Sequence, residues 1–247
     1  MKTVILGNGL LGSSLHSLTG WDMLSRSQDN FDITRSELYS KFLLEYFEGS
    51  IVTAKYGTVV NCIANTNTYS KSKQDHWSTN YKAVAELVDF CNLYGIKLVH
   101  ISSDYVYSNS IENASEEDIP VHGRNWYSYT KVLADAYIEL KSENYLVCRG
   151  THKPSPFPYS KAWINQVGNF DYVDTISTYI VTLIRKEATG TYNVGTELKT
   201  VYSLASKTSS VIPVLCPEGV PTNTTMNLTK LNTSLNENEI VSSNTTL

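Results

Sequence analysis

Short apolar runs alternate along this chain with longer stretches in which apolar residues return every three or four positions. A strand buried in a parallel sheet gives a near-continuous apolar run, and a helix packed on one face gives the longer period. On this basis strands are expected at 3–6, 21–24, 58–64, 97–102, 145–148 and 190–194, and helices at 10–18, 76–94, 127–140 and 172–184. In the second helix Ala83, Leu87 and Phe90 fall along one face, and Gly95 stands where a helix C-cap is expected. Thr34-Arg35-Ser36-Glu37 has capping-box spacing and precedes an apolar face at Leu38, Phe42, Leu43 and Tyr46, so a further helix is expected there.

Regular strand–helix alternation predicts an α/β fold with a Rossmann-like, doubly wound parallel sheet. The alternation weakens after Arg149, where 153–158 carries three prolines and the segment from Pro217 onward is rich in Thr, Asn and Ser. The expected division is therefore a Rossmann domain at 1–150 and a small C-terminal substrate lobe at 151–247, partly interleaved with it.

Composition narrows the function class. Hydrophobic residues make up 41% of the 247 and the net charge is −4, with no basic stripe, which argues against nucleic acid as a partner. No stretch approaches the ~20 apolar residues of a membrane span, and the N-terminal apolar run is too short for a signal peptide. Cys62, Cys91, Cys148 and Cys216 show no metal-ligand spacing and suit reduced thiols in a cytoplasmic protein, with no metal expected. Without a secretion signal, the Asn-x-Thr triplets at Asn223 and Asn244 are expected to be chance.

Gly7-Asn8-Gly9-Leu10-Leu11-Gly12 joins the first expected strand to the first helix. A GxGxxG in that setting serves a tight turn, close approach of a pyrophosphate to the backbone, and the positive end of a helix. At the end of the next strand the chain reads Leu24-Ser25-Arg26-Ser27, with Asp22 slightly earlier. An acidic residue at that point would hold ribose hydroxyls, whereas Ser25 and Arg26 suit a 2′-phosphate, so NADP(H) is the expected cofactor and NAD(H) the alternative.

Tyr127-Ser128-Tyr129-Thr130-Lys131 sets a tyrosine and a lysine four residues apart on one helix face. A neighbouring ammonium lowers a phenol's pKa towards neutrality, which makes the tyrosine a usable acid. Upstream, Ile101-Ser102-Ser103-Asp104-Tyr105-Val106-Tyr107 leaves a strand at its carboxyl end, the edge where open parallel sheets place their ligands. Ser103, with Ser102 as the alternative, is the expected hydroxyl that holds a substrate oxygen.

These motifs resemble those of the extended short-chain dehydrogenase/reductases, and most nearly the dTDP-4-dehydrorhamnose reductase branch. The pieces that carry the resemblance are GNGLLG, VVNCIANT, SSDYVY, YSYTK, CRGTH and MNLTKL. It implies an NAD(P)-dependent oxidoreductase with Ser103, Tyr127 and Lys131 as its catalytic set. It also implies that Gly7, Gly9, Leu10, Leu11 and Gly12 line the pyrophosphate and that Arg26 approaches the adenosine phosphate. Asp32 and Ile33 would border the adenine, and Cys62, Ile63 and Ala64 would form the small-residue loop beside the cofactor. Asp104, Tyr105 and His152 would face the substrate, with Asn80 nearby.

The implied reaction is NADPH-dependent reduction of a keto group on a nucleotide-activated sugar, such as a 4-keto-6-deoxyhexose, and a homodimer is the assembly to look for. Two alternatives stand beside it. One is a nucleotide-sugar epimerase or dehydratase. Dehydration needs a carboxylate pair where Asp104 is followed by Tyr105, and 3,5-epimerisation needs a Cys where Val106 and Tyr107 stand, so a 4-epimerase fits best among these. The other is a non-catalytic NADP-binding regulatory subunit, which would ordinarily lack the Tyr or the Lys.

Overall fold

Residues 2–47, 50–108 and 112–243 are described by the computed structural model; the Asn244-Thr245-Thr246 triplet lies outside them. The apolar runs form a six-stranded sheet of β1 (Thr3–Leu6), β2 (Asp22–Leu24), β3 (Thr58–Asn61), β4 (Lys97–Ile101), β5 (Tyr145–Arg149) and β6 (Gly190–Asn193). Their spatial order is β6-β5-β4-β3-β1-β2, and every pairing is parallel. Successive side chains of a strand point to opposite faces. Val4 and Leu6 accordingly join one buried cluster, with Val59, Leu98 and Val147, while Ile5 joins the other, with Val60, Val99 and Leu146.

The longer helices cover both faces. Those of α2 (Ala83–Tyr94) and α3 (Trp126–Lys141) fill the first cluster through Leu87, Ala134 and Ile138. Those of α1 (Leu10–Thr19) and α4 (Val173–Arg185) fill the second through Leu15, Ile176 and Ile180, and α5 (Thr229–Ser243) adds Leu231. The strand order reverses at β1, between β2 and β3, so the connections there diverge and leave a crevice at the carboxyl ends of the strands.

Several local expectations need correction. The helix Glu37–Leu43 starts after Ser36 without a side-chain cap, because Thr34 donates its hydroxyl to Asp32 instead of closing a capping box. Tyr46 lies in the strand Leu44–Phe47, which forms an antiparallel hairpin with Ser50–Ala54, and is exposed. A short apolar run fits strand and helix periods equally, and here the strand wins. The strand expected to reach residue 64 ends at Asn61, whose side-chain oxygen accepts from the Ile63 N–H and turns the chain. The helix expected from 76 starts at Lys73, capped by Ser72, and contains a π-helical turn at Trp77–Lys82.

Beyond β5 the chain alternates between two locations. Short paired strands at His152–Lys153 and Asp171–Tyr172, and at Lys161–Trp163 and Ile212–Val214, build a lobe around Phe157, Phe170, Val201 and Leu204. Between these visits α4 and β6 return to the main sheet. Among the described residues no helix is long and apolar enough to cross a membrane.

Under the sheet's carboxyl edge Arg149 is buried and fully engaged. It reaches Asp135 at 2.9 Å, Glu139 at 2.9 Å and the Tyr107 hydroxyl at 2.8 Å. Removing one member of a buried pair strands its partner's charge, at about 3–5 kcal/mol. Arg149→Met is expected to lower unfolding free energy in urea by about that amount, and adding Asp135→Asn should restore part of it.

Candidate active site

The turn after β1 is shaped by two contacts. Gly7 adopts φ 101°, which a side chain rarely allows, and donates its N–H to Leu24 of β2. Gly12 packs so tightly that a Cβ there would sit 2.0 Å from the Gly7 carbonyl oxygen. Gly9, the N-cap of α1, is different: a Cβ there would meet nothing within 4 Å. No side chain caps α1 and its first turn carries no acid, so its free N–H groups face the crevice as an anion site. The residues present therefore fit a pyrophosphate.

A cleft of 620 Å³ runs from this turn past Ser25, Arg26, Asp32, Ile33, Cys62, Ile63 and Ala64. Ser25 is buried and caps the short helix Arg26–Asp29 by accepting from the Gln28 N–H. Arg26, 70% exposed, pairs with Asp32 at 2.8 Å. An acidic side chain thus does stand in the pocket, contrary to the reading of Leu24–Ser27 alone. Burial works against the Asp32 charge, but hydrogen bonds from Thr34 and the Arg26 guanidinium outweigh it and hold its pKa below the ordinary value. Asn80 locks the far wall: its side chain accepts from the Asn65 N–H at 2.7 Å and donates to the Asn65 carbonyl at 3.0 Å.

A second cleft, of 820 Å³, continues from Gly9, Leu10 and Leu11 to the ends of β4 and β5. Ser103 and Tyr127 both stand on its wall. Burial pushes the Tyr127 phenol up to about 12, and it is Ser103, not Lys131, that opposes the rise. Ser102 also borders the cleft but donates its hydroxyl to Asp135 at 2.8 Å. Tyr105 lies edge-on to Tyr127, ring centres 6.0 Å apart, and receives a hydrogen bond from Gln166. His152 lines the same cleft, its imidazole lowered to about 4 by burial and by Lys153.

Of the residues expected to act on the substrate, Asp104 and Lys131 stand off the cleft wall. Asp104 is buried beneath it, accepting from Thr151 and Ser103; burial raises its carboxyl, and those hydrogen bonds oppose the rise. Lys131 is also buried, its ammonium nitrogen 2.7 Å from the Ile101 carbonyl oxygen and 2.8 Å from His100 Nε2. Burial lowers its pKa to about 8. His100 was not singled out from the sequence: inside an apolar strand it looks like a core histidine, and only its partners reveal it. Lys153, Lys161, Tyr159 and Trp163 also line the cleft and were not anticipated, since the lobe that carries them lacks a regular pattern.

The RmlD substrate binding domain family matches residues 1–152 of the chain. Among curated proteins, the sterol-4-alpha-carboxylate 3-dehydrogenase, decarboxylating, of Dictyostelium discoideum is 28% identical over 160 residues. That stretch is 56% of this chain and 48% of the relative, so the match spans about half of that protein. Among solved structures, the dTDP-4-dehydrorhamnose reductase of Bacillus anthracis in complex with NADP is 21% identical with a TM-score of 0.76, covering 94% of this chain and 93% of that one. A hypothetical dTDP-4-dehydrorhamnose reductase from Sulfolobus tokodaii is 19% identical at TM-score 0.75, covering 94% of each chain. The UDP-glucuronic acid 4-epimerase of Bacillus cereus in complex with NAD is 17% identical at TM-score 0.70, covering 94% and 92%. These likenesses establish the Rossmann-like fold.

The two glycines separate structural from ligand roles. Gly12→Ala is expected to destabilise the fold by about 1–3 kcal/mol, as overpacking does. Gly9→Ala should melt close to the wild type yet bind a dinucleotide at least tenfold more weakly in a fluorescence titration. Unchanged affinity in Gly9→Ala would remove the turn from the binding site.

Proposed function

The chain belongs to the RmlD substrate binding domain family, and on that premise we propose that it is an NADPH-dependent reductase of a keto group on a nucleotide-activated sugar. The observation that carries this reading is the meeting of Ser103 and Tyr127 on a cleft that also opens onto Gly9, Leu10 and Leu11 of the glycine turn. The cofactor, when bound, supplies the hydride. Its pyrophosphate would be held by the free N–H groups of α1 and its adenosine between Arg26 and Ile33, and its ribose would have to draw Lys131, buried behind the cleft wall, away from His100. Ser103 turns its hydroxyl proton from Asp104, 3.3 Å away, to the substrate carbonyl oxygen, and Tyr127 gives that oxygen its phenolic proton. The long dimension of the cleft carries Lys153 and Lys161 beside Tyr159 and Trp163, cations and flat rings that suit a diphosphate and a base.

The same geometry disfavours the other chemistries. Dehydration needs a free acid–base carboxylate, but Asp104 is buried and engaged by Thr151. Val106 and Tyr107, where a ring-epimerising Cys would stand, are wholly buried. Cys62 does border the cleft, but burial pushes its thiol up to about 12, so it is no acid–base group at neutral pH. The likeness to a 4-epimerase makes stoichiometry the deciding measurement, since an epimerase restores its cofactor each turnover.

With a 4-keto-6-deoxy nucleotide sugar, one NADPH is expected to be consumed per product; product formed without loss of NADPH absorbance would reject the reductase in favour of the epimerase. Tyr127→Phe should lower kcat by about 10²–10⁴-fold, the worth of a positioned proton donor, with NADPH affinity nearly unchanged. Arg26→Ala is expected to weaken NADPH but not NADH binding; calorimetry showing equal loss for both would detach Arg26 from the 2′-phosphate.

A further inference from the structure

The buried contact between Lys131 and His100 has a polarity that can be worked out from its neighbours. Asn61 is wholly buried, and its Oδ1 accepts from the Ile63 N–H at 3.0 Å. Its Nδ2 is therefore the group aimed at His100 Nδ1, 3.3 Å away, and it can only donate. His100 Nδ1 must then be bare. Burial drives the His100 pKa well below its ordinary value, so the ring is neutral and holds a single proton. That proton sits on Nε2, which faces Lys131 Nζ at 2.8 Å. Two donors at that distance repel; the contact becomes a hydrogen bond when Nζ offers a lone pair, which an ammonium lacks and an amine has. Nζ still donates to the Ile101 carbonyl oxygen at 2.7 Å with one of its remaining protons.

The other groups around Lys131 do not reverse this. Asp135, one turn along α3, favours the charged form, but Arg149 and Ser102 hold its Oδ2 and its Oδ1 makes no hydrogen bond to Lys131. Cys62, across the loop after β3, is kept protonated by burial, and Tyr127 on the preceding turn is a neutral phenol. Burial of Lys131 itself acts in the same direction as the hydrogen-bond polarity.

We propose that His100, oriented by Asn61, is a positioning residue that holds Lys131 as an uncharged amine in the cofactor-free protein, and that nicotinamide-cofactor binding is coupled to uptake of one proton by Lys131. The inference rests on the cofactor reading above. The ribose hydroxyls draw Nζ away from His100, the Nε2–H···Nζ bond breaks, and a solvent proton adds to the freed lone pair. Charge and atoms balance: the amine and a proton give the ammonium, and His100 stays neutral. Tyr127 thereby acquires its cationic neighbour only when the cofactor is in place, which limits its acidity to the loaded enzyme.

The test is a proton inventory of NADPH binding by titration calorimetry at pH 8.5, in buffers of different ionisation enthalpy. At that pH the 2′-phosphate is fully ionised and contributes no proton. The wild type is expected to take up close to one proton per cofactor. In His100→Gln the amide oxygen can accept from the ammonium, so Lys131 is already charged and uptake should fall towards zero while binding persists. Absence of uptake in the wild type, or equal uptake in the variant, overturns the proposal; absence of binding in the wild type instead overturns the cofactor reading. A second measurement needs no variant: nitrogen NMR of the His100 ring in the cofactor-free protein should show the proton on Nε2, and a proton on Nδ1 would refute the argument.

Discussion

The neighbouring strands β3, β4 and β5 carry buried polar side chains at or next to their carboxyl ends: Asn61, His100 and Arg149. A polar group removed from water is costly unless it finds a partner, so these three dictate what surrounds them. Arg149 draws in Asp135, Asp135 also takes the Ser102 hydroxyl, and Asn61 and His100 face one another and Lys131. Asp135 and Lys131 both stand on α3, which also carries Tyr127. The network under the sheet edge therefore fixes the rotation and height of α3, and with it the place of the phenol on the cleft wall.

The arrangement also explains why Ser103, not Ser102, meets Tyr127. Adjacent residues leaving a strand point to opposite sides. Ser102 donates its hydroxyl to the buried Asp135 at 2.8 Å, whereas Ser103 makes only a longer bond, 3.3 Å, to its neighbour Asp104 and stands on the cleft wall with Tyr127. Asp104 then follows into the interior, where Thr151 and Ser103 satisfy it and where it cannot touch a substrate. One polar network thus selects the hydroxyl that faces the cleft and withdraws the neighbouring carboxylate from chemistry.

Much of this was legible in the sequence because it depends on period and local backbone chemistry. The six sheet strands, the helices between them and the GxGxxG turn follow from apolar runs and from glycine, and Ser103 and Tyr127 follow from their position at a strand end and a helix start. What the sequence concealed depends on contacts between distant segments. Asp104 looks like a site residue until Thr151, 47 positions away, is seen to hold it. His100 looks like a core residue until Asn61 and Lys131 are seen to bracket it. The strand Leu44–Phe47 looks like the end of a helix because Leu43 and Tyr46 fit a helical spacing as well as a strand, and only its pairing with Ser50–Ala54 decides. The lobe beyond β5 is built of strands only two or three residues long, too short to carry a period.

The Arg26–Asp32 pair shows why a sequence rule for cofactor choice needs the geometry. The rule sets an acid against an arginine at the end of β2, and this pocket contains both, bound to each other at 2.8 Å. Which one a ligand meets depends on what it must displace. Arg26 is largely exposed, and an exposed ion pair is worth only about 0–1 kcal/mol. A 2′-phosphate offers the guanidinium a charge-assisted, bidentate partner at a net gain of about 1.5–3 kcal/mol, so it can displace Asp32 from Arg26 at little cost. A ribose hydroxyl offers Asp32 a single hydrogen bond, while Asp32 already has Thr34 and Arg26 as donors and gains little by changing them. The asymmetry favours a phosphate over a ribose hydroxyl as the ligand that opens this pair.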